Sequence, residues 1–210
     1  MSRIAREVAS INQHAGPLTS VPLLLTALRL VLAPVVALLA FFAPYPSLFA
    51  VCLTTAFLSD VFDGIIARRL GIATPNLRRF DSAADTAFYA ACLLAAWHLY
   101  PTAIADRWVA LCILVALELI RYVYDFAKFR REASYHMWSS KLWGLCLFSG
   151  FVALLVFGVQ GMAVSLAIYL GIVANAEGLA ISVILPRWQS DVPSFVHALR
   201  ARGKVGVSPS

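Results

Sequence analysis

The sequence predicts an all-α, polytopic membrane protein with six transmembrane helices and an N-terminal surface helix. Three observations lead there. Of the 210 residues, 61% are hydrophobic. Only 13% are charged, where an ordinary soluble domain carries roughly 25%. The apolar residues also fall into six runs, each near the ~20 residues that a helix needs to cross a bilayer. A disordered chain is excluded by this composition, and a water-soluble globule would need more polar surface. The length suits one compact membrane domain, 1–210, with short loops.

The elements follow in order. Residues 1–16 read as an amphipathic surface helix, because Ile4, Val8 and Ile11 recur at helical spacing while Arg3 and Arg6 lie off that stripe. A signal peptide is not expected, since the next apolar run carries Arg29 and no small-residue cleavage pattern closes it. Spans are expected at 22–43, 47–67, 81–100, 108–126, 142–158 and 162–185. Pro44 and Pro46 punctuate the first turn and Pro101 the third, and Gly158 to Gly161 make a tight fifth turn. The tail is 187–210. Cys52, Cys92, Cys112 and Cys146 all sit in apolar runs without metal-like spacing, so they read as small hydrophobes. His14, His98, His136 and His197 show no pairing suited to a metal or a triad.

The net charge of +6 is set by location. With a cytoplasmic N-terminus, the inner segments hold Arg3, Arg6, Arg68, Arg69, Arg78, Arg79, Lys128, Arg130, Arg131, Lys141, Arg187, Arg200, Arg202 and Lys204, which is 14 of the 17 basic residues. The outer loops hold Arg107, and Arg29 and Arg121 lie within spans. The positive-inside rule therefore puts both termini in the cytoplasm, and the basic balance needs no nucleic-acid partner.

The chemistry is concentrated where spans two and three meet. Asp60 and Asp63 are i,i+3 on one helix, and Asp81 and Asp85 are i,i+4 on the next, so each pair shares a face. A short connection makes the two helices antiparallel neighbours with both pairs at the cytoplasmic end. Carboxylates at the edge of an apolar core are costly unless neutralised. Four of them at one depth form an oxygen cage suited to Mg²⁺ or Mn²⁺ rather than zinc, and two such ions are the usual clamp for displacement at phosphorus. Gly64 and Ala67 continue the Asp60 face and leave room for a ligand, and Arg68 adds a positive group suited to phosphate. The plain alternative is a set of solvated helix ends paired with Arg68, Arg69, Arg78 and Arg79.

These residues resemble the signature of the CDP-alcohol phosphatidyltransferases, D-x2-D-G-x2-A-R-x8-G-x3-D-x3-D. Asp60, Asp63, Gly64, Ala67, Arg68, Asp81 and Asp85 match it in type and spacing, while Leu77 stands where the pattern has its second glycine. Upstream, Pro22, Thr26 and Arg29 match the family's P-N-x-L-T-x-x-R opening, with Leu23 in place of the asparagine. Thr26 and Arg29 are i,i+3 and can face the same cavity, and an arginine inside a span is functional by default. The bland reading of Arg29 is a structural counter-charge to one aspartate.

The resemblance implies a reaction in which an acceptor hydroxyl attacks the lipid-side phosphorus of CDP-diacylglycerol and CMP leaves. It implies Asp85 as general base and a ligand of the ions, and Asp60, Asp63 and Asp81 as metal ligands. It further implies Gly64, Ala67, Arg68, Thr26 and Arg29 at the nucleotide donor, two Mg²⁺ or Mn²⁺ ions, and a homodimer. Beside the phosphatidylglycerophosphate synthase-like members, the acceptor would be glycerol 3-phosphate. Candidate acceptor contacts are Glu118, Arg121, Asp125, Lys128, Ser140 and Lys141, with Arg121 and Lys141 suited to its phosphate. The expected setting is a bacterial inner membrane, with the active site cytoplasmic. Two other readings stand beside this one: an inactive relative that keeps CMP or metal binding, and a divalent-cation transporter. A transporter's acidic residues would recur near the bilayer midplane, whereas these four cluster at one end.

Overall fold

The structure is a computed structural model that describes residues 21–70, 75–130, 135, 137–186, 192 and 194–199. The expected surface helix at 1–16 and most of the tail 187–210 lie outside the described residues. Among those residues every regular element is helical. The chain divides into two compact units, Met1–Leu99 and Tyr100–Ser210.

The described residues of the first unit form three long helices, α1 (Val21–Phe42), α2 (Pro46–Arg69) and α3 (Pro75–Leu99). At 1.5 Å per residue the 22 residues of α1 extend ~33 Å, enough to cross a bilayer. Its buried stripe is Pro22, Thr26, Arg29, Ala33, Val36 and Ala40, at steps of three and four. Leu24, Val31 and Leu38 lie on the exposed side, which is apolar as a lipid-facing surface must be. Pro34 within α1 lacks an N–H to give to the preceding turn, a defect that membrane helices tolerate. α2 starts on Pro46, whose missing N–H costs nothing in the first turn, and ends on Arg68 and Arg69, whose charges suit the negative end of the helix. It buries Phe49, Cys52, Leu53, Ala56, Ser59, Asp63 and Ala67. α3 buries Ala84, Phe88, Cys92, Ala95 and Ala96. α1 packs against both α2 and α3. The sequence suggested α2 and α3 as direct neighbours; the structure adds α1, which packs against both.

The second unit holds α4 (Pro101–Ala105), α5 (Trp108–Phe129), α6 (Trp138–Phe151, continued by a π-helical stretch Val152–Val156) and α7 (Met162–Ile184). α7 packs against α5 and α6. Its buried face carries Ala167, Gly171, Ala174 and Gly178, small residues that let neighbouring helices approach closely. Trp143 of α6 lies over Gly171 and donates its indole N–H to the Ala167 carbonyl at 3.0 Å. Gly158 ends the π stretch at φ 66°, in the left-handed region that glycine adopts without a Cβ penalty. Arg107 donates to the Ser165 hydroxyl at 2.9 Å and to the Ala103 carbonyl at 2.9 Å, fixing the α4–α5 corner to the start of α7. At the other end Met137, Ile181, Leu185, Val192 and Ala198 form a buried apolar cluster.

Among the described residues, four helical segments are long and apolar enough to cross a membrane: Val21–Phe42, Pro46–Arg69, Trp138–Val156 and Met162–Ile184. α3 and α5 have comparable length and carry charged residues within it, Asp81 and Asp85 on α3, and Glu118, Arg121, Asp125 and Lys128 on α5. Cys52, Cys92, Cys112 and Cys146 are free thiols.

Packing at α7 gives a paired prediction. A Cβ on Gly171 would lie 2.5 Å from Trp143 Nε1 and 2.9 Å from Leu114 Cδ1, so Gly171→Ala is expected to destabilise the protein by about 1–3 kcal/mol. A Cβ on Gly144 meets nothing within 4 Å, so Gly144→Ala is expected to gain about 0.5–1 kcal/mol from the helix interior. Thermal unfolding of the two variants in one detergent checks both signs.

Candidate functional site

Three helices of the first unit each present polar residues on a buried or half-buried face near one end. On α1 these are Thr26 and Arg29, one turn apart; on α2, Asp60 and Asp63; on α3, Asp81 and Asp85. Arg29 lies eight residues into α1, Asp60 and Asp63 nine and six from the end of α2, and Asp81 and Asp85 six and ten into α3, so the charged layer lies ~9–15 Å inside the helix ends. All four carboxylates meet one group, which α1 supplies.

That group is the Arg29 guanidinium, which is 1% exposed. Nη1 donates to Asp60 Oδ1 at 2.9 Å and also to Asp85 Oδ1. Nη2 donates to Asp63 Oδ2 and Asp81 Oδ1. The Thr26 hydroxyl lies 3.4 Å from Asp63 Oδ2 and 3.5 Å from Asp81 Oδ1, and 3.0 Å from the Pro22 carbonyl one turn back. Exposure grades across the cluster: the Asp63 side chain is 6% exposed, Asp85 33%, Asp81 34% and Asp60 46%. The layer is therefore sealed at α1 and open toward Asp60.

The donor set fits a hard divalent cation. Asp60, Asp63 and Asp81 each offer a carboxylate oxygen, and the three oxygens lie within 4.8 Å of one another. Asp85 meets the same guanidinium and so borders the same space. Arg68 folds back along α2, with its Nη1 3.3 Å from where a Gly64 Cβ would be, and Ala67 is buried beside it. Gly64, Ala67 and Arg68 thus lie one to two turns beyond Asp60 on the same helix. Leu77, at the glycine position of the signature, is partly buried at the start of α3. Leu23 is half-exposed, one turn before Thr26 on α1.

The second unit carries its own polar group on α5, α6 and α7. Arg121 lies against Gly178, where a Cβ would come within 3.0 Å of its guanidinium. Lys141 is exposed and stands 4.9 Å from the Trp138 ring centre. Lys128 donates to the Ser182 and Val183 carbonyls at 2.8 and 2.9 Å, a cation placed at the negative end of α7. Glu177 accepts from the Ser139 hydroxyl at 2.6 Å and from the Phe195 N–H at 3.1 Å. Tyr135 shares a hydrogen bond with the Ser182 hydroxyl at 3.2 Å, and burial raises its phenol above the ordinary range. Lys128, a candidate acceptor contact from the sequence, is tied to the α7 carbonyls. The partners of Glu177 on α6 and at Phe195 depend on tertiary placement.

Asp60→Asn at the open corner removes one charge from a set more negative than a single guanidinium balances. The expected outcome is a raised unfolding temperature together with a loss of Mn²⁺ affinity of about tenfold or more. Thermal unfolding and a Mn²⁺ titration on the same preparation check the two halves.

Two of the three comparisons with known proteins are negative: no curated protein and no solved structure matches the chain. The third is positive, since the family model described as CDP-alcohol phosphatidyltransferase matches residues 19–174. That stretch includes Thr26 and Arg29 and all four aspartates of the cluster. The chain belongs to the CDP-alcohol phosphatidyltransferase family, whose members carry out phosphatidyl transfer in phospholipid synthesis.

Proposed function

We propose that this protein transfers a phosphatidyl group from CDP-diacylglycerol to the hydroxyl of an acceptor alcohol and releases CMP. The observation that carries this reading is the convergence of Asp60, Asp63, Asp81 and Asp85, two pairs from two helices, beside Gly64, Ala67 and Arg68. In the reaction the acceptor oxygen forms a bond to the lipid-side phosphorus. The bond from that phosphorus to the CMP oxygen breaks, and the hydroxyl proton passes to a base.

We assign Asp85 as that base and as a metal ligand, and Asp60, Asp63 and Asp81 as metal ligands. Two Mg²⁺ or Mn²⁺ ions, when bound, would neutralise the charge that builds on the leaving CMP. Gly64 and Ala67 are assigned to the border of the cytidine, beside the Arg68 guanidinium that lies over Gly64. Arg68, with Thr26 and Arg29, is assigned to the donor's diphosphate; a planar guanidinium suits phosphate oxygens. In the second unit, Arg121 and Lys141 are assigned to the acceptor, and glycerol 3-phosphate is the acceptor whose charge matches them.

The chain 1–210 is read as one membrane domain with six spans, α3 and α5 crossing with the other four segments. The distribution of its basic residues supports cytoplasmic termini and a cytoplasmic active site. A bacterial inner membrane and a homodimer complete the reading.

Purified protein given CDP-diacylglycerol, Mn²⁺ or Mg²⁺ and a panel of alcohols is expected to release CMP with at least one acceptor. No CMP with any acceptor from a folded preparation would overturn the reading. Asp85→Asn is expected to lower turnover about 10²–10⁴-fold, the range for a general base, without unfolding the protein. With glycerol 3-phosphate as acceptor, Arg121→Gln is expected to raise KM about tenfold or more while leaving an uncharged alcohol unaffected.

A further inference from the structure

We propose that Arg29 is the resident counter-cation of the carboxylate cage, and that a divalent cation enters the cage by exchange with its guanidinium. The inference deepens the proposed function and rests on its reading of the aspartates as metal ligands.

The first support is position. The guanidinium contacts all four carboxylates, and three of these offer oxygens within 4.8 Å of one another. The point where a cation would gain most from Asp60, Asp63 and Asp81 is the point the guanidinium fills. Two cations sharing that space would repel one another with little water between them to screen the charge. Entry of one therefore requires withdrawal of the other.

The second support is how Arg29 is held. Its two terminal nitrogens make every hydrogen bond described for the side chain; Nε is buried and has no hydrogen-bond partner. A buried donor left unpaired costs about 1–3 kcal/mol. The stem is buried but makes no hydrogen bond, so the described hydrogen bonds of the side chain all run from the head to the carboxylates. An arginine built only to brace three helices would gain from a partner at Nε as well. The head instead sits as a tethered ligand, able to leave by rotation about its own side-chain bonds.

The third support is charge. One guanidinium offsets one unit against four carboxylates. The cage stays attractive to a cation of higher charge density, and the graded exposure toward Asp60 gives that cation a side from which to approach. Exchange of this kind lowers apparent affinity by the fraction of time that the competitor is absent. If Arg29 occupies the cage about nine-tenths of the time, the reduction is about tenfold.

The test is Mn²⁺ binding to the purified full-length protein in detergent, measured by titration calorimetry, for the wild type, Arg29→Met, Arg29→Lys and Asp63→Asn. Arg29→Met is expected to bind Mn²⁺ about tenfold more tightly than wild type. Arg29→Lys keeps the charge but not the fork, so its affinity is expected to fall between the two. It also keeps the test alive should Arg29→Met fail to fold. Asp63→Asn is expected to lose affinity, which establishes that the titration reads this cage. Mn²⁺ is further expected to raise the unfolding temperature of either Arg29 variant more than that of the wild type.

Weaker or unchanged Mn²⁺ binding in the Arg29 variants would overturn the exchange and make Arg29 a scaffold that preorganises the ligands. If the wild type still releases CMP in that case, the proposed function survives. Absence of Mn²⁺ binding in the wild type and both Arg29 variants, together with absence of CMP release, would overturn both.

Discussion

The contact of one buried guanidinium with four carboxylates is the interaction on which the first unit depends. Arg29, Asp60, Asp63, Asp81 and Asp85 come from three helices. Each group alone would be costly in so apolar a setting, where removing an ion from water costs several kcal/mol even after relaxation. Together they fix the register of α1 against α2 and α3, since a slip of one residue on α1 would turn Arg29 about 100° away from the cluster. The apolar part of the α1 stripe, Ala33, Val36 and Ala40, allows close approach but is too uniform to choose a register by itself. The ionic layer supplies the specificity that the packing lacks.

The same layer stores function. Like charges held side by side are unfavourable, and stability is sacrificed where a site must bind something. Arg29 balances part of that cost without closing the cage on the Asp60 side. Farther along α2, Arg68 lies back over Gly64. The local sequence thus places two carboxylates, two small residues and an arginine along about two turns of one helix.

Much of this was legible in the sequence. Four apolar segments, 21–42, 46–69, 138–156 and 162–184, were legible because a bilayer imposes a minimum apolar length. The aspartates were legible because four carboxylates at steps of three and four are too costly in an apolar chain unless a cation offsets them. What was not legible depends on tertiary placement. α3 begins at Pro75 rather than at Asp81, because the charged turn before the apolar run is helical too. The five-residue α4 is too short to leave a periodic pattern, and the π-helical stretch Val152–Val156 has no compositional sign. The opening motif suggested that Thr26 and Arg29 face a cavity. That Arg29 reaches all four carboxylates follows only from α1 packing on both α2 and α3. In the second unit the small residues of α7 were visible one by one, but the fit of Arg121 over Gly178 and of Trp143 over Gly171 depends on which helices meet there.

The carboxylate cage is thus the proposed place where a divalent cation and Arg29 exchange and where the donor's diphosphate is engaged. The most direct measurement is an experimental structure of the protein with Mn²⁺ and CMP, using anomalous scattering to locate the metal. The expected result is an anomalous peak among Asp60, Asp63 and Asp81, with the Arg29 guanidinium withdrawn from the four carboxylates and CMP beside Gly64 and Ala67. A guanidinium still bound to all four, with the metal elsewhere, would contradict it.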